Sequence, residues 1–462
     1  MPTAPANVFR QFHWEPQPRA QAFVSEMTAL VTSRCPGAAV LANRMKNETG
    51  TRLIDWLDHI AVSKSDSVRN RLLEIGFEQR SQPGAPECFV HEGGMFPAVV
   101  LGEGNVTRLG VKVESVADFA AAWEIHEPIQ GQPLSRFRTM QASAGEGAEL
   151  WVVERHGYRG YSVPQFDDAK AVTMLRHAEA LRRRKRNFGT DAESFAHTNN
   201  LVDAAIADLG VDLTCDLFYA GEREFWMRRN RAARVQKARQ DKLGLGWANH
   251  DHHTYRSSRS SFSALVALWE KLGLRCRERF YAGAEAGWGA QVMEQPVTGI
   301  ITFNDVDMSP EELLGDFAHS PMPAQEKLGT VGLWCGLHGE AALQAGMHHL
   351  EAQFDWHALR DQLEAEAGVK TMDPFTTFPY LRQAFTEGER WSVDPKRVDR
   401  LLVAGTITPE QAELFKSKGA IGSHLENLER NDGFKGFNQQ GVSDIIAKTD
   451  PRRLTAAMAP GA

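Results

Sequence analysis

The spacing of apolar and polar positions changes period along the chain, and the changes divide it into five stretches. From about residue 18 to 47, glycine occurs only at Gly37, and Phe23, Met27, Leu30 and Val31 recur at helical spacing, so a helical cap is predicted over 1–47. The run Leu53 to Val62 reads as a strand, Ser65 to Ile75 as a helix, and Glu78 to Val113 as short strands broken by Gly and Pro. Another strand follows at Glu149 to Glu154, and Pro164 closes a first α+β module over 48–166. Residues 167–245 read as a helical connector. A second module, 246–310, opens on the strand Trp247 to Arg256, continues with a helix over about 261–272, and ends in strands near 276–281, 291–294 and 298–303. The remainder, 311–462, reads as mostly helical, with an amphipathic helix from Met347 to Leu363 that places His348, His349 and His357 on an ordinary helix surface.

The two modules share an order of features. Each opens on an Asp-His pair in a strand, Asp58-His59 and Asp251-His252, and each continues into a helix that starts near serines. The predicted class is therefore α+β, with two βαβββ-type modules that together form a central metal-binding sheet. Side chains alternate across a strand, so His252, Thr254 and Arg256 share one face while Asp251, His253 and Tyr255 take the other. Imidazole with a carboxylate suits iron(II), manganese or zinc and leaves positions open for substrate and for oxygen or water. His59 and His252, one from each module, with Glu294 from a later strand, form such a set; Glu149 and Glu154, on a comparable strand of the first module, are alternatives for the carboxylate. Arg256 is placed to meet an anionic substrate held at the metal.

Composition narrows the partners. The chain has 462 residues, 42% of them hydrophobic, and a formal net charge of -7, which argues against general attraction to nucleic acid or an anionic membrane. The basic runs Arg182 to Arg186 and Arg228 to Arg231 are interleaved with Asp203, Asp208, Glu222 and Glu224 and carry no recognition signature, so they read as a solvated helix face. No apolar run reaches the roughly 20 residues of a membrane helix, and the start of the chain lacks the order of a signal peptide. Five scattered cysteines form no CxxC pair, which fits reduced thiols in the cytoplasm. Signatures of a P-loop, a dinucleotide fold, a nucleophile elbow or HExxH are missing from the sequence.

At these residues the chain resembles the 2-oxoadipate dioxygenase/decarboxylase family, also called hydroxyglutarate synthase, whose members are similar to vicinal-oxygen-chelate enzymes and bind iron through two His and one Glu. His59 in Asp58-His59-Ile60-Ala61-Val62 looks like the first family histidine. His252 in Asn249-His250-Asp251-His252-His253-Thr254-Tyr255-Arg256 looks like the second, and Glu294 like the carboxylate. The segment Glu413 to Ser423 is similar to the family's closing segment beside the active site, which brings Ser423 to the substrate. Family members carry an arginine four residues after the first histidine; here that position is Ser63, followed by Lys64, and Arg256, four after His252, supplies the cation instead.

The resemblance implies a mononuclear non-haem iron(II) enzyme, with another divalent metal as a substitute, that uses O2 to decarboxylate and oxidise a small 2-oxo acid or related carboxylate. Arg256 would be its catalytic cation, and Arg256, Lys64 and Ser423 would bind the substrate. Two other readings stand beside it: a metal-dependent lyase or isomerase that uses no oxygen, with Glu294 or Glu149 as base, and a non-catalytic binding protein that uses the basic connector.

Overall fold

A computed structural model describes residues 14–80, 86–165, 167–282, 287–438 and 450–452. Residues 1–13 of the expected cap and 453–462 of the C-terminal region lie outside the described residues. The cap is otherwise helical, with Pro18–Arg34 and Pro36–Arg44 each starting on a proline, whose fixed φ and missing N–H suit a first turn.

The first sheet has seven strands: β1 Leu57–Ser63, β2 Glu78–Gln79, β3 Glu87–Val90, β4 Ala98–Gly102, β5 Thr107–Lys112, β6 Phe137–Gly145 and β7 Ala148–Arg155. Their spatial order, β2-β3-β4-β1-β5-β7-β6, resolves into two units. In the first, β1 runs into the helix Asp66–Glu74 and then β2, β3 and β4, with β4 returning parallel to β1. The second repeats this with β5, the helix Val116–Ala122, β6 and β7, and has one strand fewer. A single bridge between Gln130 and Thr139 stands where that strand would lie. The units meet through the antiparallel pair β1 and β5.

The second sheet has the same plan in full. It contains β8 His250–Arg256, β9 Arg275–Tyr281, β10 Trp288–Glu294, β11 Ile301–Asp307, β12 His349–Gln353, β13 Thr376–Phe378, β14 Leu381–Phe385, β15 Glu389–Trp391 and β16 Ala420–Arg430. The order β13-β14-β16-β12-β8-β11-β10-β9, with β15 on β16, gives two βαβββ units joined through the antiparallel pair β8 and β12. Their crossover helices are Phe262–Lys271 and Trp356–Ala367. The class is α+β of the vicinal-oxygen-chelate type, as expected, but each sheet is itself a pair of modules.

Residues 311–462, expected to be mostly helical, therefore contribute five strands to the second sheet. The amphipathic helix expected over Met347 to Leu363 is a strand as far as Gln353, and the helix starts at Trp356 behind an Asp355 cap. Two-residue alternation explains the difference. Leu350 and Ala352 face the core, and His349 and Glu351 face the opposite side.

The connector forms the helices Asp168–Arg182, Asp191–Leu209, Val211–Arg228 and Arg231–Asp241. Phe218, Tyr219 and Trp226 of the third helix pack in the core of the second sheet with Tyr255 and Trp269. The basic run is not wholly a solvated face. Arg184 and Arg186 are buried against Glu222, at 2.6 and 2.5 Å, while Arg183 stays on the surface. Among the described residues no helix is long and apolar enough to cross a membrane.

Removing one partner of a buried ion pair leaves an uncompensated charge. Glu222→Gln should lower unfolding free energy by about 3 to 5 kcal/mol in urea titrations. Arg183→Ala should stay within about 0.5 kcal/mol of the parent.

Candidate metal centre

Register at the centre of the second sheet sets the site. His252 on β8 pairs across with Glu351 on β12, and Glu351 pairs with Glu426 on β16. One step along, Thr254 faces His349, and His349 faces His424. All point to one face, whereas Leu350, Ala352 and Leu425 fill the core. Donor atoms of His252, Glu351 and Glu426 lie within 4.8 Å of one another. His349 Nε2 joins them, 2.6 Å from Glu351 Oε1 and 3.7 Å from Glu426 Oε2. His252 Nε2 is 2.9 Å from the same Glu351 oxygen, which also accepts the Thr254 hydroxyl at 2.8 Å.

The outer contacts orient these groups. His252 Nδ1 lies 2.7 Å from Asp251, and Asp251 is gripped by Arg430 through contacts of 2.9 and 3.0 Å, which leaves Nε2 aimed at the cluster. Gln383 donates to Glu426 at 2.8 Å.

The electrostatics bear on what the cluster can hold. Burial opposes ionisation of Glu351, yet His252 and His349 hold its carboxyl well below the usual range. Burial, with Glu351 beside it, pushes Glu426 far up. Burial also lowers His349, while in His252 the Glu351 and Asp251 carboxylates outweigh it and raise the imidazole. Two buried carboxylates this close must share a proton or a cation. Glu351 Oε2 and His349 Nδ1 are buried without a hydrogen-bond partner. A divalent cation fits this set, since it would compensate both carboxylates and accept the two imidazole nitrogens.

The cluster opens into a cavity also lined by Arg256, Asp305 and a wall of aromatic rings. Phe437 stands edge-on to His252 at 4.9 Å and to Phe303 at 5.0 Å, and Phe303 continues to Phe280 at 5.1 Å. Across the cluster, Phe385 flanks His349 at 5.0 Å. Arg256 is 2% exposed; its Nε lies 3.6 Å from Asp305, without a hydrogen bond. Burial pushes the Asp305 carboxyl up to about 8.

Of the residues expected to hold the metal, only His252 is in this cluster. His59 belongs to the first sheet, where its Nδ1 lies 2.7 Å from Asp58 and Asp58 is held by Arg155 at 2.8 Å, the same arrangement as His252, Asp251 and Arg430. The positions matching Glu351 and Glu426 there are Gly110, paired with His59, and Trp151, paired with Gly110. The His59 ring lies over Gly110 so closely that a Cβ would come within 2.5 Å of it, and Tyr161 covers the ring at 5.1 Å. The first sheet thus keeps the histidine and its support without the carboxylates.

Glu294 ends β10 in ion pairs with Arg277 and Lys435, at 3.2 and 3.3 Å, outside the cluster. The alternatives are also committed elsewhere: Glu149 to Arg108 and Trp151, Glu154 to Arg138 and His156. Lys64 is exposed and 3.6 Å from Glu87. Ser423 is buried behind the sheet, accepting from Trp226 and Asn230 at 2.7 and 2.8 Å. Arg256 shares the cavity with His252.

Sequence reading placed His349 on a helix surface and did not single out Glu351 or Glu426. Their signal is a repeated tripeptide, His349-Leu350-Glu351 and His424-Leu425-Glu426, which the parallel strands β12 and β16 place in register, residue against residue.

No protein-family profile and no curated protein matches the chain. Among solved structures it is similar to a protein described as of the glyoxalase superfamily from Ralstonia eutropha, with 12% identity, 59% of this chain and 99% of that one covered, and a TM-score of 0.33. A 4-hydroxymandelate synthase mutant from Streptomyces coelicolor covers 89% of this chain and 100% of its own at 11% identity and a TM-score of 0.23. Methylmalonyl-CoA epimerase from Mycobacterium tuberculosis gives 11% identity, 40% and 88% coverage, and a TM-score of 0.23. At those scores the likeness supplies no residue correspondence.

Glu351→Gln and Glu426→Gln should each cut bound metal at least tenfold, measured by elemental analysis after loading with iron(II) under nitrogen, with the circular dichroism spectrum retained. His59→Ala should leave metal content unchanged. Loss of metal in His59→Ala with retention in Glu351→Gln would reverse the assignment.

Proposed function

We propose that the chain is a metal-dependent enzyme that holds one divalent cation, iron(II) foremost, on His252, His349 and the Glu351/Glu426 pair, and uses O2 to decarboxylate and oxidise a small 2-oxo acid. The convergence of two imidazoles and two carboxylates in a buried cavity that also presents Arg256 carries this reading. The two-His, one-Glu pattern of the resembled family is available here from His252, His349 and Glu426. With His252 as the first histidine, Arg256 stands four residues after it, in the family's clamp position, and the departure noted at Ser63 disappears.

When bound, such a cation would supply a Lewis-acidic centre with open positions for an oxo acid and for O2. The protein's own residues do the rest. Arg256, whose Nε makes no hydrogen bond and stands 3.6 Å from Asp305, is the cation that would meet a substrate carboxylate, and burial raises the Asp305 carboxyl, which weakens its hold on that charge. Phe280, Phe303, Phe385 and Phe437 exclude water around the reacting group. The free cysteines suit a reducing compartment such as the cytoplasm.

One observation favours a second reading. The cluster has a carboxylate more than the family set, and the one not held by the cation is placed as a general base for a lyase or isomerase that uses no oxygen.

Oxygen uptake decides between them. Iron-loaded protein given a panel of 2-oxo acids should consume O2 and release CO2 in equal amounts; turnover at the same rate under nitrogen would favour the lyase or isomerase. Arg256→Ala should lower kcat/KM by well over tenfold, about 2 kcal/mol or more, at unchanged metal content. Unaltered kcat/KM in Arg256→Ala and Arg256→Lys would make the Arg256–Asp305 pair purely structural.

A further inference from the structure

A second set of metal-ligating side chains lies on the outer edge of the second sheet, away from the cavity. Glu270 comes from the last turn of the helix Phe262–Lys271, Cys276 from β9, and His319 from the turn after the short helix Glu312–Leu314. One donor atom from each lies within 4.8 Å of the other two. These residues belong to three separate segments, so their convergence is a product of the fold.

The histidine is oriented as a ligand would be. Asp316 takes its Nδ1 at 2.8 and 3.0 Å, and its Nε2 points to Glu270 Oε1 at 2.9 Å. A carboxylate on Nδ1 fixes the tautomer and turns Nε2 toward the cation, the support found behind metal-bound histidines. Thiolate, imidazole and carboxylate are together the donors that zinc prefers, and three protein ligands leave a fourth position for water. His319 joins Glu270 to Asp316, and Cys276 is an exposed free thiol beside them. A divalent cation would displace the thiol proton to solvent and take the imidazole Nε2 that faces Glu270.

We propose that Glu270, Cys276 and His319 form a second metal site, distinct from the His252 cluster, that takes a thiophilic divalent cation, zinc(II) above all, with water completing the coordination. The site ties the end of a crossover helix and the 316–319 turn to β9. That strand carries Phe280 of the cavity wall four residues beyond Cys276, so the cation clamps the edge on which Phe280 is mounted.

Cobalt(II) reports the thiolate directly. Full-length reduced protein carrying His252→Ala, which silences the central cluster, is stripped of metal and titrated with cobalt(II). One equivalent should develop the near-ultraviolet sulfur-to-cobalt charge-transfer band, and zinc(II) should displace it. Cys276→Ser and His319→Ala, each in the same background, should abolish the band and weaken zinc binding at least a hundredfold in chelator competition, with the circular dichroism spectrum intact. Absence of the band in the His252→Ala protein, or its persistence in Cys276→Ser, would overturn the proposal. Zinc binding unchanged in Cys276→Ser would do the same.

Discussion

The antiparallel pairing of β8 with β12 is the constraint on which the site depends. It sets His252 opposite Glu351 and Thr254 opposite His349, and the parallel pairing of β12 with β16 then brings Glu426 alongside. Because the side-chain period is two, a slip of one residue in β12 would turn Leu350 and Ala352 into the cavity and His349 and Glu351 into the apolar core. The core on the other face forbids that slip. The hydrophobic side of these strands thus fixes the register of the polar side, and the polar side needs the help, since two buried carboxylates repel each other in the folded chain.

The first sheet shows what the arrangement costs when the carboxylates are gone. Asp58, His59 and Arg155 reproduce Asp251, His252 and Arg430 element for element, and Arg155 and Arg430 each stand four residues beyond the position that holds Trp151 in one sheet and Glu426 in the other. With glycine at 110 the histidine ring lies down on the neighbouring strand. Tyr161 then covers it, and apolar packing and a hydrogen-bonded triad do for the first sheet what charge compensation must do for the second. The two Asp-His pairs are equivalent, and that equivalence is itself why they do not meet. Each sits at the centre of its own sheet.

This also explains which parts of the molecule could be read from sequence. The β8 strand and the helix after it carry ordinary signals, an alternating stretch followed by Phe262, Leu265, Val266 and Trp269 at helical spacing. Strand β12 has only five residues, is polar on the face that matters, and leads at once into an amphipathic helix, so its period of two is overrun by a period of 3.6. Strand β16 is separated from β14 by β15 and the inserted helices Pro395–Val403 and Pro409–Lys418, which hides its membership of the sheet. Glu294 is a carboxylate on a clear strand, but it ends β10, two strands from β8, where Arg277 and Lys435 pair with it and a central histidine is out of reach. The His-Leu-Glu repeat was visible throughout, and only knowledge that its two copies pair in register gives it meaning.

The charge of the basic connector supports the second sheet from behind. Arg184 and Arg186, fixed by Glu222, donate to the backbone carbonyls of Ala342 and Leu343 at 2.9 and 3.3 Å, and Arg229 donates to that of Gln344 at 3.3 Å. These carbonyls belong to the turn that ends at Gly346, where φ is +78°, three residues before β12 begins. Backbone groups buried in a turn require partners, and arginine supplies several donors in a rigid fork. A charge run that reads in the sequence as a solvated helix face is therefore partly used internally, to hold the entry of the short strand that carries His349 and Glu351. The arginines anchor one end of β12, and β8 and β16 clamp its sides, which sets the places of His349 and Glu351.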